Sequence, residues 1–407
     1  MSAKGARRAL DAFVVAGEAS GDELGASLMK KLRERLLGEI RFRGVGGTAM
    51  AAEGLASLFP MDDVTAMGFG SVIRKLPLIL RRIRETAAAV AASPPDVLIL
   101  IDSPDFNQRV ARRVRRVLPD LAIVKYVSPT VWVWRPGRAR KLAPLVDHVL
   151  ALFPFEPDVL KKLGGPPSSY VGHPLLDRIG DLRASPEEER SRANDPPLLV
   201  VLPGSRRLEI HRLAKIFGDA IGRLAEQHGP LKVVLPTLRA REEEVRAAVE
   251  SWPVKPRIVV TEAEKYAAFR RARAALAASG TVTLELALAH VPMVAAYRVL
   301  PWEGMIVRVV ARVSSAILPN LVLGEHVVPE FMQGDCSAET LAQALAPLLD
   351  DTPERRKQIA AFQRLDQIFS TGGEQPSARA ARVTLEVIGN KRKSKVEEIP
   401  SEWHKRC

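Results

Sequence analysis

Two carboxylates follow a short apolar segment, at a position where α/β proteins often carry out chemistry. The segment Val97–Ile101 leads directly into Asp102, and Asp105 stands three residues later. Because ligands of parallel sheets bind at the carboxyl ends of strands, either carboxylate could act as a general base. Either could instead cap the following helix, and Asp105 suits that role better because Gln108 stands three residues on. Asp102 is therefore the candidate base.

The loop after the first predicted strand is rich in small and polar residues. Gly17 and Gly21 permit a tight turn and a close approach of a ligand to backbone N–H groups. Ser20 and Glu23 have the spacing of a capping box, which predicts a helix from Gly21 onward. The glycines do not fit the dinucleotide fingerprint G-x-G-x-x-G, so the loop does not predict a nicotinamide or flavin cofactor.

A second candidate site lies in the C-terminal half, where Gly204, Ser205 and Arg206 follow an apolar segment and precede a helical pattern. Backbone N–H groups at a helix start attract anions, and an arginine adds bidentate donors. The spacing is not that of a P-loop. These features predict a phosphate-binding turn.

A similar loop follows another apolar segment at residues 274–278. Gly280 and Thr281 could hold a diphosphate, and Glu285 could accept hydrogen bonds from ribose hydroxyls. Each loop alone is equally consistent with an ordinary helix start. Together in one half of the chain, they favour an anionic nucleotide as the ligand.

Residues 67–84 mix large aliphatic side chains with five basic ones. Such a segment is typical of a membrane-surface helix or of an ordinary helix with a solvated basic face. Pro77 predicts a break in the helix. Farther along, Trp132 and Trp134 could line a sugar or lipid site or fill a core, and His173 alone carries no functional information.

The elements that must position these residues alternate between strand and helix, and they do so twice along 407 residues. This pattern predicts two doubly wound α/β lobes, each with a parallel sheet covered on both faces. Residues 183–197, rich in charge and proline, read as an interdomain linker. The site is expected in a cleft between the lobes. The basic tail after residue 389 is predicted to be disordered.

The net charge of +13 favours an anionic partner, and residues 74–116 concentrate it, with ten basic and four acidic side chains. That placement favours an anionic membrane surface and phosphorylated lipids over nucleic acid. No uncharged segment reaches the roughly 18 residues of a membrane-spanning helix. Two cysteines exclude a disulfide framework, and the histidines lack metal-ligand spacing. We therefore expect a cytoplasmic or membrane-peripheral protein without bound metal.

Motifs spread over most of the chain resemble those of the lipid-A-disaccharide synthase family, in the expected order. They are VAGEASGD (15–22), RGVGG (43–47), MGFGSV (67–72), IDSPDFN (101–107), YVSPTVWVW (126–134), FPFE (153–156), GHP (172–174), LPGSR (202–206), ASGTVTLE (278–285), YR (297–298) and LPNL (318–321). Any one of these motifs alone would be weak support, but so many in order are specific.

The resemblance implies a GT-B architecture and an inverting glycosyltransferase that needs neither metal nor cofactor. It implies transfer of 2,3-diacylglucosamine from UDP-2,3-diacylglucosamine to 2,3-diacylglucosamine 1-phosphate (lipid X). The products would be the β(1→6)-linked lipid A disaccharide 1-phosphate and UDP. It also implies peripheral binding to the cytoplasmic face of the inner membrane, and it leaves a homodimer open.

The resemblance assigns roles to individual positions of this sequence. Asp102 would be the base, with Glu18 and Ser20 on the acceptor side. The residues expected to bind UDP or the donor sugar are Gly204, Ser205, Arg206, Ser279, Gly280, Thr281, Glu285 and Asn320. The residues expected to form a membrane patch are Val72, Ile73, Leu76, Ile79 and Leu80. Gly70 and Pro77 depart from the family pattern, and they alter the shape expected for this patch.

The predicted domains are an acceptor and membrane lobe at 1–185, a UDP-sugar lobe at 196–365, a helix at 366–389 that packs back on the first lobe, and the tail at 390–407.

Two other functions stay open at this point. A UDP-sugar epimerase of the same fold would use the same donor lobe without a lipid acceptor. A nucleic-acid-binding protein would explain the charge, although no nucleic-acid motif is present.

Overall fold

The computed structural model describes residues 9–37, 39–65, 69–133, 135–298 and 315–397. For residues 69–74 and 394–397 it describes the backbone only. The chain forms two compact units. The first comprises the residues up to 176 together with those from 371 onward, and the second comprises residues 177–370.

The first unit is built on a seven-stranded sheet in the order β3-β2-β1-β4-β5-β6-β7, with every described strand pair parallel. Its strands are β1 (Leu10–Val15), β2 (Ile40–Val45), β3 (Ala56–Ser57), β4 (Val97–Ile101), β5 (Ala122–Tyr126), β6 (His148–Ala151) and β7 (Ser168–Tyr170). The central strands are buried along their whole length, as expected where helices cover both faces of a sheet.

The helices α1 to α6 of the first unit are α1 (Ala19–Arg35), α2 (Thr48–Ala52), α3 (Phe69–Ala92), α4 (Pro104–Val117), α5 (Gly137–Leu142) and α6 (Glu156–Lys162). The C-terminal helix α16 (Pro376–Glu397) also belongs to this unit, and it packs against α1, β5 and β6.

The second unit has a six-stranded parallel sheet in the order β10-β9-β8-β11-β12-β13. Its strands are β8 (Leu198–Leu202), β9 (Lys232–Pro236), β10 (Arg257–Val259), β11 (Ala274–Ala278), β12 (Met293–Tyr297) and β13 (Glu330–Met332). Its helices are α7 (Ile179–Leu182), α8 (Pro186–Ser191), α9 (Arg207–His228), α10 (Glu242–Ala248), α11 (Glu262–Arg271), α12 (Val282–Leu288), α13 (Leu318–Leu323), α14 (Ala338–Leu349) and α15 (Pro353–Ile368).

Both sheets reverse their strand order at one point, β1/β4 in the first and β8/β11 in the second. This reversal is the mark of a doubly wound sheet, so the prediction of two doubly wound parallel lobes is confirmed. Each sheet carries its own buried apolar cluster.

Two predicted helix boundaries are wrong. Helix α1 begins at Ala19 with Glu18 at its N-cap position and no side-chain cap, so Ser20 lies inside the first turn and forms no capping box. Helix α3 runs unbroken through Pro77. Pro77 lies on an exposed face, where water can bond the carbonyl that the missing N–H leaves free.

The predicted linker is also wrong, because residues 183–197 are built into the second unit. Ser185 and Glu188 form a capping box that begins α8. The guanidinium of Arg192 is buried and donates to four main-chain carbonyls, those of Arg270, Phe269, Ala289 and His290. A segment held in this way cannot act as a flexible tether.

The predicted disorder of the tail needs a correction for residues 390–397, which continue α16. Lys391 pairs with Asp147 at 3.1 Å and Arg392 with Asp96 at 2.8 Å, so the basic side chains find carboxylates on the first unit. Residues 398–407 lie outside the described residues.

Candidate active site

Asp102 lies where β4 ends, in a turn whose backbone is unusual. Asp102 and Ser103 have φ values of 45° and 38°, in the left-handed region that residues with a Cβ rarely adopt. Asp102 is half-buried, and its main-chain N–H donates to the Tyr126 carbonyl at 3.0 Å. None of the described residues donates a hydrogen bond to the Asp102 carboxylate. Backbone conformations of this kind cluster at functional sites.

Two buried side chains donate hydrogen bonds to main-chain carbonyls of this turn. Asn107 Nδ2 donates to the carbonyls of Ile101 and Asp102, both at 2.8 Å. Lys125 on β5 donates through Nζ to the Asp102 carbonyl. Sequence reasoning missed Lys125, although one signal was visible, a lysine inside the otherwise apolar strand AIVKY.

The β1–α1 loop packs directly against the Asp102 turn. A Cβ added to Gly17 would lie 2.3 Å from Ser103 Oγ, and one added to Gly21 would lie 3.9 Å from the Asp102 Cβ. Only glycine fits at position 17. The structure therefore brings the loop that carries Glu18 and Ser20, whose side chains are exposed, next to the candidate base.

Asp22 organises the next loop along the same sheet edge. Its buried carboxylate accepts hydrogen bonds from the N–H groups of Gly47, Ala49 and Met50 at 2.7, 2.9 and 3.1 Å. These are the free donors at the start of α2, so Asp22 caps that helix from a distance. The motif GEASGD thus includes a residue that shapes the site without facing a substrate.

The second acidic residue of the Asp102 loop behaves differently from the first. Asp105 lies in the first turn of α4, which begins at Pro104 after Ser103, so Asp105 is not the predicted cap. Its side chain is 81% exposed and pairs with Arg138 at 3.1 Å.

An aromatic cluster stands at the ends of the neighbouring strands. The Trp132 ring meets that of Phe155 edge-on at 5.3 Å, Phe155 stacks on Phe153 at 5.7 Å, and Phe153 lies 5.6 Å from His173. The buried Glu156 carboxylate accepts a hydrogen bond from Trp132 Nε1 at 3.2 Å and so fixes the indole. Burial raises the pKa of Glu156 to about 7 and lowers that of His173 to about 4. Trp134 lies outside the described residues.

In the second unit, the predicted phosphate turn joins β8 to α9. Gly204 has φ 114°, and Arg206, with its side chain 81% exposed, is the N-cap residue of α9. The Glu209 carboxylate accepts the N–H groups of Ser205 and Arg206 at 3.1 and 3.2 Å. A carboxylate thus already occupies the amide donors that the sequence assigns to a phosphate.

The second predicted loop follows β11. The Ser279 side chain donates to the Ala316 carbonyl at 2.8 Å, while Gly280 and Thr281 are exposed before α12. A Cβ added to Gly280 would meet no described atom within 4 Å, which leaves open space above the loop. Glu285 is tied to Lys265, whose Nζ lies 2.7 Å from its carboxylate.

Asn320, predicted to bind the donor, makes its hydrogen bonds within the protein. Its buried amide oxygen accepts the N–H groups of Val327 and Val328, both at 3.0 Å. Its nitrogen donates to the Val328 carbonyl at 2.9 Å and to Glu330 at 2.7 Å. All four hydrogen-bonding positions are engaged, so Asn320 holds a loop in place.

The predicted membrane patch is only partly exposed. Leu76 is 41% exposed, whereas Ile79 and Leu80 are half-buried and pack against the apolar cluster of the first sheet. The side chains of Val72 and Ile73 lie outside the described residues. Exposed arginines follow Leu76 on α3 and occur on the adjoining α4, at positions 81, 84, 109, 112 and 116.

Comparisons with known proteins show what this arrangement belongs to. A family model described as lipid-A-disaccharide synthetase matches residues 12–383. The chain belongs to this family. A lipid-A-disaccharide synthase from Rhodopseudomonas palustris (strain HaA2) is 57% identical over 376 residues, covering 92% of this chain and 96% of the relative. One from Rhodospirillum centenum is 44% identical, covering 92% and 94%. The chain is therefore a glycosyltransferase of lipid A biosynthesis.

Solved structures agree on the fold of this synthase family member. A UDP-GlcNAc 2-epimerase from Neisseria meningitidis, bound to UDP-GlcNAc, matches with a TM-score of 0.59 at 10% identity, covering 94% of this chain and 99% of that one. MurG from Acinetobacter baumannii matches with a TM-score of 0.54 at 13% identity, covering 94% and 99%. These likenesses confirm the GT-B fold class.

Within the described residues, no helix is both long enough and apolar enough to cross a membrane. No group of three or more His, Cys, Asp or Glu side chains lies close enough together, within that part of the chain, to hold a metal ion.

Proposed function

We propose that the chain transfers 2,3-diacylglucosamine from UDP-2,3-diacylglucosamine to the 6-hydroxyl of 2,3-diacylglucosamine 1-phosphate (lipid X). The products are the β(1→6) lipid A disaccharide 1-phosphate and UDP. The observation that carries this proposal is the family match over residues 12–383, joined to relatives at 57% identity over nearly their whole length.

Asp102 is the base in this proposal. Its carboxylate takes the proton of the acceptor 6-hydroxyl while that oxygen attacks the anomeric carbon of the donor. The bond from the anomeric carbon to the UDP diphosphate breaks as the new bond forms, which inverts the anomeric configuration. The half-buried carboxylate at the end of β4, to which no described residue donates a hydrogen bond, supports this role, as do the exposed Glu18 and Ser20 beside it.

The departing diphosphate needs positive charge and N–H donors, because negative charge develops on it in the transition state. Arg206, with Ser205 and Gly204, supplies these at the start of α9, and the loop of Ser279, Gly280 and Thr281 supplies further donors. The Glu209 carboxylate competes with the diphosphate for the amides at residues 205 and 206, so binding of UDP displaces it. Glu285 accepts hydrogen bonds from the ribose hydroxyls while it keeps its ion pair with Lys265.

The acylated substrates reside in a membrane, so the enzyme works at the cytoplasmic face of the inner membrane as a peripheral protein. The exposed Leu76 and the arginines of α3 and α4 support this placement, since basic side chains beside apolar ones bind anionic lipid surfaces. Val72 and Ile73 extend the patch, whereas Ile79 and Leu80 contribute mainly to packing.

The test is product analysis with both lipid substrates in detergent. Wild-type protein is expected to form disaccharide 1-phosphate and UDP in equal amounts. Asp102→Asn keeps the shape of the side chain but cannot accept the proton, so it is expected to lower turnover by at least about a hundredfold. UDP affinity should stay near the wild-type value, because UDP binds to the other unit.

Asp105→Asn is the matched control, a change of the same kind three residues away on an exposed carboxylate. It is expected to keep wild-type turnover. Equal losses in both variants would remove Asp102 from the role of base. Release of an epimer or a free sugar without a lipid acceptor would instead favour the epimerase reaction.

A further inference from the structure

Lys125 is a buried charge that the proposed chemistry leaves unused. It lies on β5 between Leu100 of β4 and Val149 of β6, and its side chain is 2% exposed. Burying an ammonium group among apolar residues is expensive unless specific partners compensate. A methionine or leucine would fill the same space without this desolvation penalty, so packing alone does not explain the lysine.

The contacts of Lys125 lead to the Asp102 turn. The Lys125 ammonium and Asn107 Nδ2 both donate to the Asp102 carbonyl. That carbonyl belongs to a residue in the left-handed region, where the surrounding structure must hold the backbone. A charged donor makes a stronger hydrogen bond than the neutral amide of Asn107. The lysine is therefore well placed to set the conformation of the turn.

We infer that Lys125 is a positioning residue for the reaction: its ammonium fixes the Asp102 turn from beneath and directs the Asp102 carboxylate toward the acceptor hydroxyl. This inference rests on the proposed function, because it assigns a role to Lys125 only where Asp102 acts as the base.

The surroundings of Lys125 make its charge sensitive to pH. Burial lowers the pKa of Lys125 to about 8, and the nearby Asp102 carboxylate opposes that shift. Its neighbours on β4 and β6, Leu100 and Val149, are apolar, and the buried Asn107 on α4 is neutral. As pH rises through about 8, the ammonium loses its proton and the charged hydrogen bond to the turn is lost.

The experiment compares wild-type enzyme, Lys125→Met and Lys141→Met in the lipid substrate assay between pH 6.5 and 9.5. Lys141 is exposed on α5 and serves as the control. Lys125→Met is expected to lower kcat about tenfold to a hundredfold, since small misplacements of reacting groups have effects of this size. KM for both substrates and UDP affinity should change little. Wild-type kcat should fall above about pH 8, and the Met variant should lack that fall.

Thermal unfolding separates this role from a purely structural one. Removing a buried charge should leave the Met variant at least as stable as wild type, so a low kcat in a stable protein supports positioning. Wild-type kcat in a folded Lys125→Met variant overturns the inference and leaves the proposed function intact. If Lys125→Met does not fold, a flat wild-type profile from pH 7 to 9.5 overturns it. Wild-type enzyme that forms no disaccharide overturns both.

Discussion

The change Glu156→Gln tests how a buried carboxyl group is held at the edge of the first sheet. Glu156 accepts hydrogen bonds from the N–H groups of Leu152 and Phe153, both at 3.0 Å, and from Trp132 Nε1 at 3.2 Å. Glutamine has the same shape, and its oxygen can accept from the two main-chain N–H groups that bond Glu156 Oε2. Its amide nitrogen then takes the place of Oε1 and cannot accept from Trp132 Nε1. The substitution therefore removes the ionisation, keeps the packing and loses the hydrogen bond to Trp132.

The size of the expected change in the free energy of unfolding follows from the pKa of Glu156. Burial raises the pKa of Glu156 from 4.5 to about 7, so the folded protein prefers the protonated form. The stability that this preference contributes is fully present below pH 4.5 and is lost as pH rises through 7. A shift of about 2.5 pKa units corresponds to about 3 kcal/mol at pH 8, and to less than about 1 kcal/mol at pH 5.

The assay is urea unfolding of both proteins at pH 5 and pH 8, monitored by tryptophan fluorescence. The lost hydrogen bond to Trp132 lowers the stability of the Gln variant by the same amount at both pH values. Relative to wild type, the free energy of unfolding of the Gln variant is therefore expected to be about 2 to 3 kcal/mol higher at pH 8 than at pH 5. Asp158→Asn, an exposed change on the same helix, should show no such pH dependence. If the difference in stability between the Gln variant and wild type is the same at both pH values, burial does not raise the pKa of Glu156 in the folded protein.

The remaining predictions concern the second unit and the membrane surface. Asn320→Ala leaves the N–H groups of Val327 and Val328 without partners, which should lower the free energy of unfolding by about 2 kcal/mol. Urea unfolding measures this, and an unchanged midpoint would contradict the structural role. Replacing the exposed Arg84 and Arg112 with Glu should abolish most co-sedimentation with vesicles that contain phosphatidylglycerol, while turnover in detergent persists. Binding that is unchanged at low salt would rule out this face as the docking surface.

The two parallel sheets were predictable from the sequence, for a simple physical reason. Strands buried on both faces must be apolar throughout, so segments such as Val97–Ile101 and Leu198–Leu202 stand out between amphipathic helices. The position of Asp102 at the end of β4 followed from the same reasoning.

Errors arose where tertiary contacts override local signals. Ser20 and Glu23 have capping-box spacing, yet α1 starts two residues earlier, because the turn after β1 is shaped by packing against Ser103. The charged segment before β8 looks like a linker until Arg192 is seen to be buried among main-chain carbonyls. Neither the partner of a buried arginine nor that of Ser103 can be read from spacing.

The roles of individual side chains in the candidate site were harder to predict from the sequence than the fold. Motif spacing indicated which loops matter, but it could not separate side chains that face a substrate from those that hold a loop. Asn320 and Asp22 both satisfy backbone N–H groups, and Lys125 lies beneath the turn that it contacts. These roles depend on hydrogen bonds between residues far apart in the chain.

The most direct test of the proposed reaction is product analysis with UDP-2,3-diacylglucosamine and 2,3-diacylglucosamine 1-phosphate, comparing wild type with Asp102→Asn. Wild type is expected to form one β(1→6) disaccharide 1-phosphate for each UDP that it releases. The variant is expected to form it at least about a hundredfold more slowly, with unchanged UDP affinity. Wild-type protein that forms no disaccharide, or a variant as fast as wild type, would contradict the proposal.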